Sequence, residues 1–242
     1  MADAAFEDPR LAALYDPLDP DRGDLDVYLA IAEELGARQV LDVGCGTGTF
    51  ALLLADHGFS VTGVDPARAS LDIARAKPGS EAVRWIHGDA STLPPLAVDL
   101  ATMTGNVAQA IADPDAWDGA LRGIRAALRP GGHLVFETRD PARRAWEDWN
   151  RAATHRFVSL DGVGALETWM DVTEVSGPLV TFHGTTIVTA TGETLTSDST
   201  LRFRERAEVE AALSAHGYVI DEVRDAPDRP GREFVFFARN PE

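Results

Sequence analysis

From Gln39 to Glu137 the chain alternates short apolar runs with longer amphipathic ones, the rhythm of successive βαβ units. Gln39–Val43 reads as a buried strand, Thr49–His57 as a helix ending at Gly58, and Ser60–Val64 as a second strand. The step then repeats. Pro66–Ala76 suits a helix with proline in its first turn, Ala82–Ile86 and Val98–Met103 are strand-like, and Asp113–Leu128 is a helix stopped by Arg129-Pro130-Gly131-Gly132 before a fifth strand at His133–Thr138. This predicts an α/β fold built on a mostly parallel sheet.

The pattern changes after Asp140. Pro141–Asn150 suits a short helix, whereas Thr154–Phe203 is rich in β-formers and is punctuated by Asp161-Gly162, Ser176-Gly177-Pro178 and Thr191-Gly192. It predicts a small antiparallel sheet inserted into the larger domain. Arg204–His216 resumes a helical period, closed by Gly217, and Tyr218–Val223 with Glu233–Ala238 predict a terminal hairpin. The expected division is residues 1–139 with 205–242 as the main domain and 140–204 as the insertion.

Composition narrows the function classes. A chain of 242 residues that is 45% hydrophobic can bury one sizeable core. There is no apolar run of about 18 residues, and the start lacks the basic and apolar stretches of a secretory signal, so a soluble cytoplasmic protein without membrane partners is expected. Against 39 Asp and Glu stand 22 Lys and Arg, and a net charge of −17 repels phosphate backbones, which argues against nucleic acid as a partner. Cys45 is the single cysteine, without companions at metal-ligand spacing, so neither a disulfide nor a metal site is expected.

The most informative stretch is Val40-Leu41-Asp42-Val43-Gly44-Cys45-Gly46-Thr47-Gly48-Thr49, an apolar strand running through closely spaced glycines into a helix. Glycine permits a sharp turn and a close ligand approach. Dinucleotide-binding loops follow G-x-G-x-x-G, but here Thr49 falls where that pattern wants Gly or Ala. Asp42 just before the loop would repel a diphosphate, and it suits a ligand bearing an ammonium and a sulfonium. Asp65 ends the second strand about 20 residues on, the place from which a carboxylate reaches both ribose hydroxyls. Asp89 follows the third strand in His87-Gly88-Asp89-Ala90. Taken singly, the glycines could form a plain tight turn and each acid could cap a helix.

Together these motifs make the chain resemble the class I S-adenosylmethionine-dependent methyltransferases, small-molecule type, over Val40–Glu137 and the last helix and strands. The resemblance implies a Rossmann-like seven-stranded sheet with helices on both faces and an antiparallel last strand, with the inserted sheet as a lid. It implies S-adenosyl-L-methionine as cofactor and S-adenosyl-L-homocysteine as product. Asp42, Gly44, Cys45, Gly46 and Gly48 would lie under the methionine, Asp65 and Pro66 at the ribose, and Asp89 and Ala90 at the adenine. Ser70 departs from the methionine common in the helix after the ribose acid, and no Asn/Asp-Pro-Pro-Tyr motif of base-modifying enzymes is present.

Methyl transfer from a sulfonium is an in-line displacement in which alignment supplies about 7–11 kcal/mol of the barrier. A general base is optional, and nitrogen, oxygen and carbon acceptors all remain open. Gly105 and Asn106, after the fourth strand, resemble the Gly-Asn pair of glycine N-methyltransferase-like enzymes and are expected beside the transferring methyl; alternatively Asn106 caps the next turn. Arg139 suits a clamp on an anionic acceptor or a pairing with Asp140 or Glu137. His183, in the insertion with Glu167, Trp169 and Asp171, is a candidate base or a solvated histidine, as is His87; Trp85 is expected in the core. Leu14–Pro17 and Tyr28 are lid candidates, with packing the alternative for Tyr28. Two other functions compete: a nicotinamide-dependent oxidoreductase, and a protein that binds S-adenosylmethionine without catalysis. The acceptor expected is a small molecule, and the oligomeric state stays open.

Overall fold

The computed structural model describes residues 3–241; Met1, Ala2 and Glu242, which the expected domain limits include, lie outside them. Three helices come first, α1 (Ala4–Glu7), α2 (Pro9–Leu18) and α3 (Leu25–Glu34). The alternating region follows as β1 (Gln39–Val43), α4 (Thr49–Asp56), β2 (Ser60–Asp65), α5 (Arg68–Ala76), β3 (Val83–His87), β4 (Val98–Met103), α6 (Val107–Ala110), α7 (Pro114–Ala127) and β5 (Leu128–Arg139). Next come α8 (Arg151–Thr154), β6 (Arg156–Leu160), β7 (Gly164–Ser176), β8 (Leu179–Val188) and β9 (Glu193–Arg202). The chain closes with α9 (Arg206–Ala215), β10 (Val219–Asp225) and β11 (Glu233–Arg239). No helix among the described residues is long and apolar enough to cross a membrane.

A seven-stranded sheet has the order β10-β11-β5-β4-β1-β2-β3. β1 to β5 run parallel, and β11 is antiparallel to both its neighbours. Successive strand residues point to opposite faces, and this period divides the core. Leu41, Val43, Leu134, Phe136 and Phe236 meet Trp117, Leu121 and Ile124 of α7 and Leu213 of α9 on one face. Val40, Val135 and Phe237 meet Ile31 of α3 and Phe50 and Leu54 of α4 on the other. The amphipathic α7 begins at Pro114, where the Asp113 carboxylate accepts the Ala116 N–H at 2.9 Å.

A four-stranded antiparallel sheet, β6-β7-β8-β9, follows β5 and precedes α9. Its apolar face is covered by α2: Leu14 joins Leu166 and Leu195 in a separate cluster, flanked by Leu11, Leu18, Leu160 and Val188. Arg10 of α2 pairs with Glu193 at 2.8 Å, and Arg156 donates to the Leu18 carbonyl. Arg204, just past β9, is buried with its guanidinium over the Trp117 ring at 4.4 Å and donates to the carbonyls of Ala108 and Ile111 at the end of α6. Burial holds its pKa down at about 10.

Three expected boundaries shift. β5 starts at Leu128 because Gly131 and Gly132 exchange backbone hydrogen bonds with Asn240 across the sheet, and a register slip between Val98 and Leu100 absorbs the extra residues. α5 starts at Arg68, since the Asp65 carboxylate takes the Ala67 N–H and leaves Ala67 extended. The helix expected over Pro141–Asn150 is instead two 3₁₀ turns, Pro141–Arg143 and Ala145–Asp148, because Arg144 between them sits in the left-handed region at φ 46° and breaks the ladder.

Candidate functional site

A cleft of about 1140 Å³ opens at the carboxyl ends of the parallel strands, where the order reverses between β1 and β4. Its floor comes from the glycine loop and from Asp65–Ala67, Asp89–Ser91 and Thr104–Val107. Phe6, Glu7 and Tyr15 of α1 and α2 close one side, and Phe182 and Asp198–Leu201 of the second sheet close another. The volume exceeds the roughly 300–1,000 Å³ of ordinary small-molecule sites.

The loop after β1 has Gly44, Gly46 and Gly48 at φ of 70°, 52° and 80°. Glycine is required twice over at two of them. A Cβ on Gly44 would come within 2.5 Å of Val107, and one on Gly48 within 2.5 Å of Trp85 and 2.9 Å of Ala74. At Gly46 the same atom would meet nothing, because that residue faces the cleft. Trp85 thus packs in the core against the loop, its indole N–H donating to the Ser80 carbonyl. The Cys45 thiol is buried, which raises its pKa and keeps it an inert packing group.

Asp65 stands at the tip of β2 with one carboxylate oxygen accepting from the Gly46 N–H and the other from the Ala67 N–H, each at 2.7 Å. Each oxygen keeps capacity for a further donor, and the residue lines the cleft. Burial raises its pKa in spite of those two bonds. Asp42 lies deeper, 1% exposed; Oδ1 accepts from Thr102 Oγ1 at 3.2 Å and Oδ2 has no partner. Desolvation pushes its pKa up to about 7. Asp89 is exposed at the far end, accepting from the Ser91 N–H and hydroxyl, so it caps a short turn and also lines the cleft beside Ala90. Pro66 lines it between the two acids.

Gly105 and Asn106 both take left-handed backbone, φ 72° and 63°. Asn106 lines the cleft, its amide oxygen buried and without a donor, and it makes no side-chain cap to α6. Its N–H donates to Glu137 Oε1 in a short hydrogen bond. Glu137 is 2% exposed, and burial pushes its pKa up to about 7. Tyr28 sits beside it beneath the floor, in edge contact with Phe50, and does not line the cleft. The expectation of Tyr28 as a cofactor contact therefore resolves into the packing alternative, because α3 presents it to the core.

Arg139 also lines the cleft. Neither Asp140 nor Glu137 is its partner: Nε lies 3.6 Å from Glu233, and the side chain reaches Gln109 and the Trp149 ring. His183 bonds Asp198 at 2.8 Å and does not line the cleft. Glu167, Trp169 and Asp171 are engaged elsewhere. Glu167 pairs with Arg151 and His155, Arg151 stacks on Trp169, and Asp171 accepts the Arg151 N–H, so all three tether α8. His87 is exposed and hydrogen-bonded to the Pro66 carbonyl.

Other residues hold the cleft's frame through contacts that no spacing along the chain foretold. Asp16 of α2 accepts from Thr47 and Thr49 and pairs with Lys77 at 2.6 Å, clipping the N-terminal helices onto the glycine loop. Ser70 donates to the Phe6 carbonyl, so the residue that departs from the methionine pattern anchors α1. Arg22 lines the cleft, paired with Asp24.

The strand order and the switch-point cleft define a class: a doubly wound α/β protein with a ligand site built on a glycine loop. Residues 40–132 match the family model of a methyltransferase domain, and the fold is one that S-adenosylmethionine-dependent methyltransferases share. The cypemycin N-terminal methyltransferase of a Streptomyces species is 33% identical over 147 residues, covering 59% of this chain and 60% of that one. The chain thus spans less than two thirds of that relative's length. Among solved structures, an S-adenosylmethionine-dependent methyltransferase from Clostridium acetobutylicum ATCC 824 aligns with a TM-score of 0.76 at 17% identity, over 96% of this chain and 98% of that one. CalS10, an amino pentose methyltransferase from Micromonospora echinaspora, aligns with a TM-score of 0.74 at 25% identity, over 93% and 96%.

Proposed function

We propose that the protein transfers a methyl group from S-adenosylmethionine to a small-molecule acceptor, releasing S-adenosylhomocysteine. The observation that carries this reading is a pair of buried, donorless acceptors, Asp42 Oδ2 and Asn106 Oδ1, on two residues of a cleft whose other end holds Asp65. Buried acceptors without donors are costly, and an ammonium group supplies what they lack. A diphosphate would be repelled by Asp42, which disfavours a nicotinamide cofactor.

The cofactor, when bound, supplies a methyl group already activated on a sulfonium. The chain's own residues align and enclose it. Asp65 accepts the ribose hydroxyls through its remaining lone pairs, with Pro66 alongside. Asp89 and Ala90 border the adenine, Gly46 leaves room for the methionine, and Gly44, Cys45 and Gly48 shape the turn beneath it. Gly105 and Asn106 would flank the transferring methyl. Arg139 and the strands carrying Phe182 and Asp198–Leu201 form the acceptor wall. We assign residues 140–204 as a cap on a main domain of 1–139 and 205–242, with the N-terminal helices as a second cover. The net charge of −17 supports a small-molecule rather than a nucleic-acid acceptor. A free cysteine suits a reducing, cytoplasmic setting.

Calorimetric titration with S-adenosylmethionine, S-adenosylhomocysteine and NADH tests the reading. Micromolar binding of the first two alone is expected; binding of NADH alone overturns it. Binding with no turnover across a broad acceptor panel would favour the non-catalytic alternative.

A further inference from the structure

We infer that Glu137 is a positioning residue, whose carboxyl holds the Gly105–Asn106 corner in the left-handed conformation that presents the Asn106 amide to the cofactor. The inference rests on the reading of the cleft as an S-adenosylmethionine site.

Asn106 is one of two non-glycine residues with positive φ among those described, and it follows a glycine that is also left-handed. Asparagine tolerates this region better than most residues, but it still needs its surroundings to hold it there. The α6 turn that follows is a single one and gives the corner no side-chain cap. The hydrogen bond from the Asn106 N–H to Glu137 Oε1 is the contact that does so, reaching from β5 across to the end of β4. Glu137 does not line the cleft, so it touches neither cofactor nor acceptor. What it contributes is the direction in which the Asn106 side chain leaves the backbone.

A carboxyl buried in the core is expensive unless it has a task. Glu137 occupies a fully enclosed site, hydrogen-bonded to the Tyr28 side chain and with no cation paired to it. Arg139, two residues on, turns to Glu233 and Gln109 instead. The carboxyl therefore makes no ion pair that would explain its place in the core; its hydrogen-bond partners are the Tyr28 side chain, which belongs to the packed core, and the backbone N–H of Asn106, which belongs to the cleft.

Reach and charge are separable here. Glu137→Gln keeps an acceptor oxygen at the same distance and removes the charge, whereas Glu137→Asp keeps the charge and falls one methylene short. Calorimetric affinity for S-adenosylhomocysteine and hydrogen exchange over residues 104–110 are the readouts, so no acceptor is needed. The expected result is E137Q within about threefold of the unmodified protein, and E137D weaker by about tenfold, equivalent to about 1.4 kcal/mol, with faster exchange confined to 104–110. The proposal is overturned if E137D binds as the unmodified protein does, or if E137Q is the weaker of the two. Should E137D fail to fold, Asn106→Gly and Asn106→Ala decide: both lose the amide, but only glycine accepts φ 63° freely, so N106G must bind several-fold better than N106A, and equal binding overturns the proposal. Failure of the unmodified protein to bind S-adenosylhomocysteine would be a different result, removing the functional reading itself.

Discussion

The loop after β1 and the sheet formed by β6 to β9 face the same cleft but are built on opposite principles. In the loop, the backbone does the holding: Gly46 gives its N–H to Asp65, Gly44 and Cys45 give theirs to the Val64 carbonyl, and the space under Gly48 is filled by Trp85. In the antiparallel sheet the polar side chains are engaged with one another. His183 pairs with Asp198, and Glu167 with Arg151 and His155. A site made of backbone turns tolerates little change of residue type, while a wall made of side chains can be redrawn without altering the fold.

This contrast can be broken in four places. Asp65→Ala should weaken S-adenosylmethionine binding by about 100-fold, the sum of two charge-assisted hydrogen bonds, measured by calorimetry; an unchanged affinity would remove the ribose assignment. Gly48→Ala should cost about 1–3 kcal/mol, a fall in Tm of roughly 2–12 °C for a chain this size, because it combines strain at φ 80° with a collision at Trp85. Gly46→Ala meets no atom in the protein, so it should spend its effect on the ligand and lower Tm less.

The third place is pH. Asp42 and Glu137 rise from ordinary values of 3.8 and 4.5 to about 7, so between those limits the folded protein holds protons that the unfolded chain releases. Their contribution to stability is complete below the unfolded values and is lost as pH climbs toward 7. Thermal unfolding of ligand-free protein should show Asp42→Asn removing part of that decline. Binding of a cation runs the other way: affinity for S-adenosylmethionine should strengthen from about pH 6 to pH 8 as Asp42 ionises, and D42N should flatten the rise. The smallest effect belongs to His183→Ala, expected to leave cofactor affinity within about twofold, since its partner is an exposed aspartate away from the loop.

The same contrast explains what could be read from residues alone. The succession of strands and helices along the chain, the glycine loop, Asp65 and the terminal hairpin were legible because local spacing dictates them, whereas the seven-stranded sheet came only from the family resemblance. Arg139 was not, because its partner Glu233 reaches it only when β11 lies against β5. Glu137 was legible only as a possible partner of Arg139, for a related reason: its bond to Asn106 exists only once β4 and β5 are side by side. The left-handed Arg144 that broke the expected helix after Asp140 has no signature comparable to a proline or glycine. In the second sheet, alternation foretold strands but left open which face would meet the cleft, and α2 from the far end of the chain took the apolar one.

That last packing sets an order of events during synthesis. Arg10 and Glu193 are separated by 183 residues, so at about 5–20 residues per second the N-terminal helix emerges from the ribosome roughly 10–40 s before its partner strand. Through most of that interval Leu11, Leu14 and Leu18 lack their native cover, and the nascent chain carries them as an apolar stripe until Leu160, Leu166 and Leu195 arrive.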